Sequence, residues 1–162
     1  MGPISKIMAA LDFSEYSKAT LKYAAFLAGS VNATLVVANI INHRDVEAIR
    51  AVEDENLGLS VETFLAKQQQ EREAKINQLL QETGCQDLKV IRIFLVGVPW
   101  VKLIEAVKDQ RVDLVVMGTK GRTNISNTLF GSTAEKVFRR CPVPVLSVRG
   151  KEHETIACSR AF

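Results

Sequence analysis

Apolar residues fall into five short, nearly unbroken runs, and between the runs they recur every three or four positions. The first run is residues 4–11 (ISKIMAAL), closed by Asp12. Its continuity predicts a strand covered on both faces. After it, Ser14 is placed to cap a helix in which Leu21, Ala24, Ala25 and Ala28 share a face, with Gly29 as the stop. Residues 34–41 (TLVVANII) predict the second strand. The polar stretch 42–58 reads as a long connection, helical in part. Val61, Phe64, Leu65, Ile76, Leu79 and Leu80 then mark a long helix that Gly84 ends.

The second half repeats the alternation. Residues 88–96 (LKVIRIFLV) predict a strand, and 99–107 (PWVKLIEAV) a helix with Trp100, Leu103, Ile104 and Val107 turned inward. Residues 113–117 (DLVVM) predict the fourth strand, 131–140 a helix and 143–148 the last strand. Pro142 and Pro144 cannot donate to a ladder, which puts this strand at a sheet edge or at an unusual interface. Five strands alternating with about four helices predict a single α/β domain, a parallel sheet with helices on both faces and right-handed crossovers. Small ligands of such folds bind beyond the C-terminal strand ends, where the strand order reverses. The domain is expected over residues 1–149. The patternless stretch 150–162 reads as a tail.

Composition narrows the class. With 162 residues, 47% hydrophobic and 24% charged, the chain suits one globular domain and not a disordered segment. A net charge of +3 is too mild to argue for nucleic acid. Arg139, Arg140, Arg149, Lys151 and Arg160 are scattered, without interleaved aromatic residues. No apolar run reaches the ~18 residues of a membrane span, and the first residues carry no signal-peptide pattern. A cytoplasmic protein without a membrane partner is expected. Cys85, Cys141 and Cys158 form no CxxC pair and His43 and His153 stand alone, so reduced thiols and no protein-built metal centre are expected.

The segment that carries chemistry is MGTKGRTNISNTLFGST, from Met117 to Thr133. Gly118 at a strand exit lets the backbone turn and a ribose approach. Gly121 permits a left-handed or otherwise strained turn that gathers N–H groups into a nest. Gly131, Ser132 and Thr133 open a helix whose first amides and dipole favour an anion. Lys120 and Arg122 add positive charge nearby. The same residues also suit a plain strand–loop–helix junction, and spacing alone does not separate the two readings. Neither GxxxxGK[ST] nor GxGxxG occurs.

The pattern Gly118-x2-Gly121-x9-Gly131-Ser132 resembles the nucleotide-binding signature of the universal stress protein family. The resemblance runs over roughly residues 4–148, through KIMAALDFSEYSKATLKYAAFLA, GVPWVKLIEAV, DLVVMGTKGRT and GSTAEKVFRRCPVPVLSV in family order. It implies a three-layer sandwich with strand order 3-2-1-4-5 and a homodimer paired along the last strand, from Val143 to Val148. It further implies ATP, or ADP or AMP, held with Mg2+ between the first and fourth strand ends. By this resemblance Asp12 lines the nucleoside pocket, Ile40 meets adenine through its backbone, and Met117, Gly118, Gly121 and Arg122 form the ribose and phosphate turn. Gly131, Ser132 and Thr133 cradle the phosphates. Ala10 and Leu11 stand where many ATP binders carry Pro or Val followed by Thr or Ser, which leaves only backbone contacts there.

The function expected is a stress-response protein that binds ATP and signals, with no catalytic residue and at most slow hydrolysis. Two alternatives stand beside it: an interaction module of the same fold that needs no nucleotide, and a weak ATP hydrolase. Intact glycines weigh against the first, and the missing catalytic motifs weigh against the second.

Overall fold

Strand β1 (Lys6–Leu11) runs up the middle of a five-stranded sheet and leads into α1 (Ser17–Ser30), β2 (Thr34–Asn42) and α2 (His43–Arg50). Helix α3 (Val61–Glu82) returns the chain to β3 (Val90–Gly97). Then α4 (Pro99–Asp109), β4 (Leu114–Gly118), α5 (Ser132–Arg140) and β5 (Val145–Val148) follow. This computed structural model describes residues 2–54, 58, 60–85, 87–121 and 130–149. All four strand pairs are parallel, in the order β3-β2-β1-β4-β5. That is the three-layer arrangement the resemblance implied. The expected tail, 150–162, lies outside the described residues.

The unbroken apolar runs have a direct cause. Ile7, Ala9 and Leu11 of β1 join Leu35 and Val37 in a core with Leu21, Ala24 and Ala28 of α1 and Ile76 and Leu80 of α3. Met8, with Val36, Ala38, Val115 and Met117, meets Leu103, Ala106 and Val107 of α4 and Ala134 and Val137 of α5 on the other face. Successive residues of a central strand therefore both land in apolar surroundings. Each fully buried Leu, Val or Ile contributes about 1.5–3 kcal/mol relative to exposure.

Several boundaries differ from the sequence reading, each for a local reason. Strand β1 starts at Lys6, because the Asp113 carboxylate accepts the Ser5 N–H at 2.8 Å and the Lys6 N–H at 2.9 Å and ties off the ladder there. Asp113 thus precedes β4. The stretch after β2 is helical at once, since Asn42 Oδ1 caps α2 by accepting from the Arg44 N–H at 3.1 Å. Ser60 caps α3 in the same way through the Thr63 N–H, so the described residues hold five helices. Ser14 does not cap α1; its own N–H donates to Asp12 Oδ1 at 3.0 Å. Gly29 lies inside α1, which runs to Ser30. Gly84, at φ 67°, does follow the end of α3. Strand β3 begins at Val90, and β5 only at Val145, past both prolines, on the sheet edge. Trp100 is half-buried, its ring beneath the Arg140 guanidinium at 4.7 Å.

Candidate functional site

From β1 the strand order runs outward through β2 to β3 on one side and through β4 to β5 on the other. The order therefore reverses between β1 and β4, and in sheets of this kind ligands bind in the crevice beyond the C-terminal ends of those strands. Ala10 of β1 sits level with Met117 of β4 and with Ala38 of β2. Asp12 leaves the first strand, and Gly118 to Gly121 leave the fourth, side by side.

Close approach of neighbouring atoms accounts for Gly118 and Gly121, while the Cβ position of Gly131 meets its neighbours at ordinary contact distance. A Cβ on Gly118 would stand 2.8 Å from the Tyr16 Cβ, where α1 begins. A Cβ on Gly121 would stand 2.5 Å from Asp12 Oδ2. The Cβ position of Gly131 faces the Lys120 α-carbon at 3.5 Å and the Gly121 nitrogen at 3.6 Å. The left-handed turn expected at Gly121 is not found, since the glycines with positive φ are Gly58, Gly84 and Gly97. Gly121 is there for space. The three contacts draw the β1 exit, the β4 exit and the start of α5 into one wall.

Thr119 closes the neck of the loop. Its N–H donates to the Val148 carbonyl at 2.9 Å, and its own carbonyl accepts from the Gly131 N–H at 2.8 Å. Directly beyond, α5 starts at Ser132 with Gly131 as its N-cap and no side-chain cap among the described residues. An α-helix leaves its first amides without intrahelical acceptors and carries positive dipole there. Asn42 and Ser60 supply caps at α2 and α3, whereas α1, α4 and α5 have no side-chain cap among the described residues; α5 is the one whose N-cap residue is hydrogen-bonded to the β4 exit, through Thr119. The Asp12 carboxylate lies against Gly121 on the β1 side, held by the Ser14 N–H and by the Ser17 hydroxyl at 3.4 Å.

The structure sorts the expected site residues. Asp12, Gly118, Gly121, Gly131, Ser132 and Thr133 gather round the crevice. Ala10 and Met117 pack toward the α4–α5 core and Leu11 toward the α1–α3 core, so they offer backbone only. Ile40 lies one step beyond the last β1–β2 pair, level with Leu95 of β3, with its side chain against the α4–α5 core. Arg122 lies outside the described residues. Among the described residues no cluster of three metal-ligating side chains exists, and no helix is long and apolar enough to cross a membrane.

Sequence reasoning missed four residues at this end of the sheet. Tyr16 packs on Gly118, and Phe13 turns the chain at φ 61° directly after Asp12. Buried Asn39 donates to the Leu11 carbonyl at 2.7 Å and accepts from buried Arg72 at 2.7 Å. The signal was present: Asn39 interrupts an apolar run, and Arg72 shares a helical face with Ile76 and Leu80.

Comparison with known proteins agrees with this geometry. The universal stress protein family profile matches residues 3–149. The universal stress protein MJ0577 of Methanocaldococcus jannaschii is 29% identical over 158 residues, covering 90% of this chain and 95% of the relative. A solved structure of MJ0577 superposes with a TM-score of 0.78 at 25% identity, covering 93% of this chain and 99% of that one. A universal stress protein in complex with cAMP gives a TM-score of 0.60 at 22% identity, covering 91% and 98%. The Archaeoglobus fulgidus universal stress protein in complex with dAMP gives 0.58 at 15% identity, also covering 91% and 98%.

Proposed function

The chain belongs to the universal stress protein family, and from that premise we propose that it binds an adenine nucleotide, ATP in the first place, in the crevice between the ends of β1 and β4. The observation that carries this reading is the uncapped start of α5, set against a wall that three glycines bring within van der Waals distance. Packing by itself explains Gly118 and Gly121. Helices α1 and α4 also lack side-chain caps, but α5 is the one whose N-cap residue is hydrogen-bonded to the β4 exit, and an anion there would satisfy its first amides. Two structural neighbours are complexes with cAMP and dAMP, ligands of the same class.

The donor set fits a polyphosphate. Amides of Ser132 and Thr133 and their hydroxyls would hold phosphate oxygens, Asp12 would face the ribose, and the Ile40 backbone would meet the base. With no three-ligand cluster among the described residues, Mg2+ would arrive on the phosphates, with Asp12 the nearest protein carboxylate. We assign no catalytic residue; the action is binding and signalling in the cytoplasmic stress response, as a homodimer joined along β5. The test is to denature freshly purified protein, identify any released nucleotide by mass, and titrate the emptied protein with ATP, ADP and AMP in Mg2+. Saturable ATP binding is the expected result. A chain that takes up none of the three acts as a nucleotide-independent module.

A further inference from the structure

The end of β1 is held from beneath by a polar relay that starts on α3. Arg72, buried on the helix face that carries Ile76 and Leu80, donates from Nη1 to Asn39 Oδ1 at 2.7 Å. Asn39 Nδ2 donates in turn to the Leu11 carbonyl at 2.7 Å. The amide can sit only one way round, because a guanidinium only donates and a carbonyl only accepts. One turn earlier on α3, Gln68 Oε1 accepts from Arg72 Nε at 3.2 Å and Nη2 at 3.1 Å, which sets the plane of the guanidinium.

The same helix grips the chain on the other side of Asp12. Phe13 occupies the left-handed region at φ 61°, a conformation that a bulky residue keeps only where its surroundings enforce it. The Arg72 guanidinium lies 5.8 Å from the centroid of the Phe13 ring and Lys75 Nζ lies 5.4 Å from it, both within cation–π range. Arg72 therefore reaches the residue before Asp12 through Asn39 and the residue after it through the ring face.

We infer that Arg72 is a positioning residue for the nucleotide site: through Asn39 and Phe13 it fixes the turn that aims the Asp12 carboxylate at the β4 exit. The inference rests on the nucleotide reading of that crevice. Filling the volume does not call for arginine here, since an apolar side chain of similar size would do that as well. What such a side chain cannot do is donate to Asn39.

The test titrates ATP into the full chain and its variants by calorimetry, and records backbone amide NMR spectra of the same samples without nucleotide. R72M is expected to weaken ATP binding about tenfold or more, the scale on which supporting partners act at ligand sites. It should also shift the Phe13 and Ser14 amide signals while leaving those of Val115 and Val116 in place. R72K keeps a donor for Asn39 and should recover most of the affinity. N39A should match R72M, with no further loss in the double variant. Wild-type affinity in R72M, or unmoved Phe13 and Ser14 signals, overturns the inference and leaves the site assignment intact. Should R72M fail to fold, N39A decides, and its binding ATP like the wild type overturns the inference equally. Absence of ATP binding in the wild-type chain overturns the nucleotide reading itself, and the Phe13 and Ser14 signals then still show whether Arg72 sets the turn.

Discussion

The carboxylate of Asp12 fills the space that a side chain at Gly121 would need, with Oδ2 placed 2.5 Å from where a Cβ would stand. In G121A either the methyl or the carboxylate must move, and a carboxylate held by the Ser14 N–H and the Ser17 hydroxyl is the more movable of the two. ATP affinity is expected to fall about tenfold, a change of ~1.4 kcal/mol. In a chain already carrying D12A the same alanine has room, so the second substitution should cost almost nothing. Calorimetry on the two single variants and the double variant reads this directly, and additive losses would remove Asp12 from the explanation.

Gly131 behaves differently. Its Cβ position meets the Lys120–Gly121 backbone at ordinary contact distance, so G131A should bind ATP nearly as the wild type does. In G131V the branched carbons wedge the start of α5 away from the loop wall and crowd the first amides. ATP binding should be abolished while far-UV circular dichroism and the melting temperature stay within the small shifts of surface changes. Equal affinities for the two variants would move the phosphate site elsewhere.

The edge strand supplies the proposed dimer seam, and its residues point two ways. Val145 packs toward the α4–α5 core, so a charge there damages the subunit itself. Leu146 is exposed, which makes L146E the clean test: an acidic side chain desolvated at a seam has no partner. Sedimentation should show a wild-type dimer and an L146E monomer of unchanged helicity. A dimer that survives L146E joins through another face.

Asp113 ties the start of β1 to β4, and its carboxyl is held below the ordinary value by the Ser5 N–H first and the Lys6 N–H next. The unfolded chain therefore takes up this proton more readily than the folded one. Stability from the clamp is present above the ordinary carboxylate range and is lost as the pH falls below it, through the lowered folded value. D113N should lose about 1 kcal/mol at neutral pH, modest for charge-assisted bonds because the group lies near the surface. Its urea midpoint should also depend less on pH under acid conditions than that of the wild type. Parallel pH profiles for the two proteins would rule the clamp out.

What could be read from the chain alone was what depends on sequence-local pattern. The strands announced themselves because both of their faces are covered, and the glycine spacing of 118, 121 and 131 located the crevice. The reason for each glycine was not readable, because it depends on neighbours distant in sequence: Tyr16 for Gly118 and Asp12 for Gly121. The role of Arg72 was not readable either, since its partner Asn39 stands 33 positions earlier on another element. The ends of β1 and β5 slipped for a similar reason, being set by Asp113 and by the prolines and not by hydropathy.

Thr119 gives the site one further property. Its two hydrogen bonds fasten β5 and the start of α5 to the β4 exit through a single residue. A change that weakened both bonds would therefore loosen the edge strand and the start of α5 together, which fastens the proposed subunit seam and the proposed phosphate cradle to one residue.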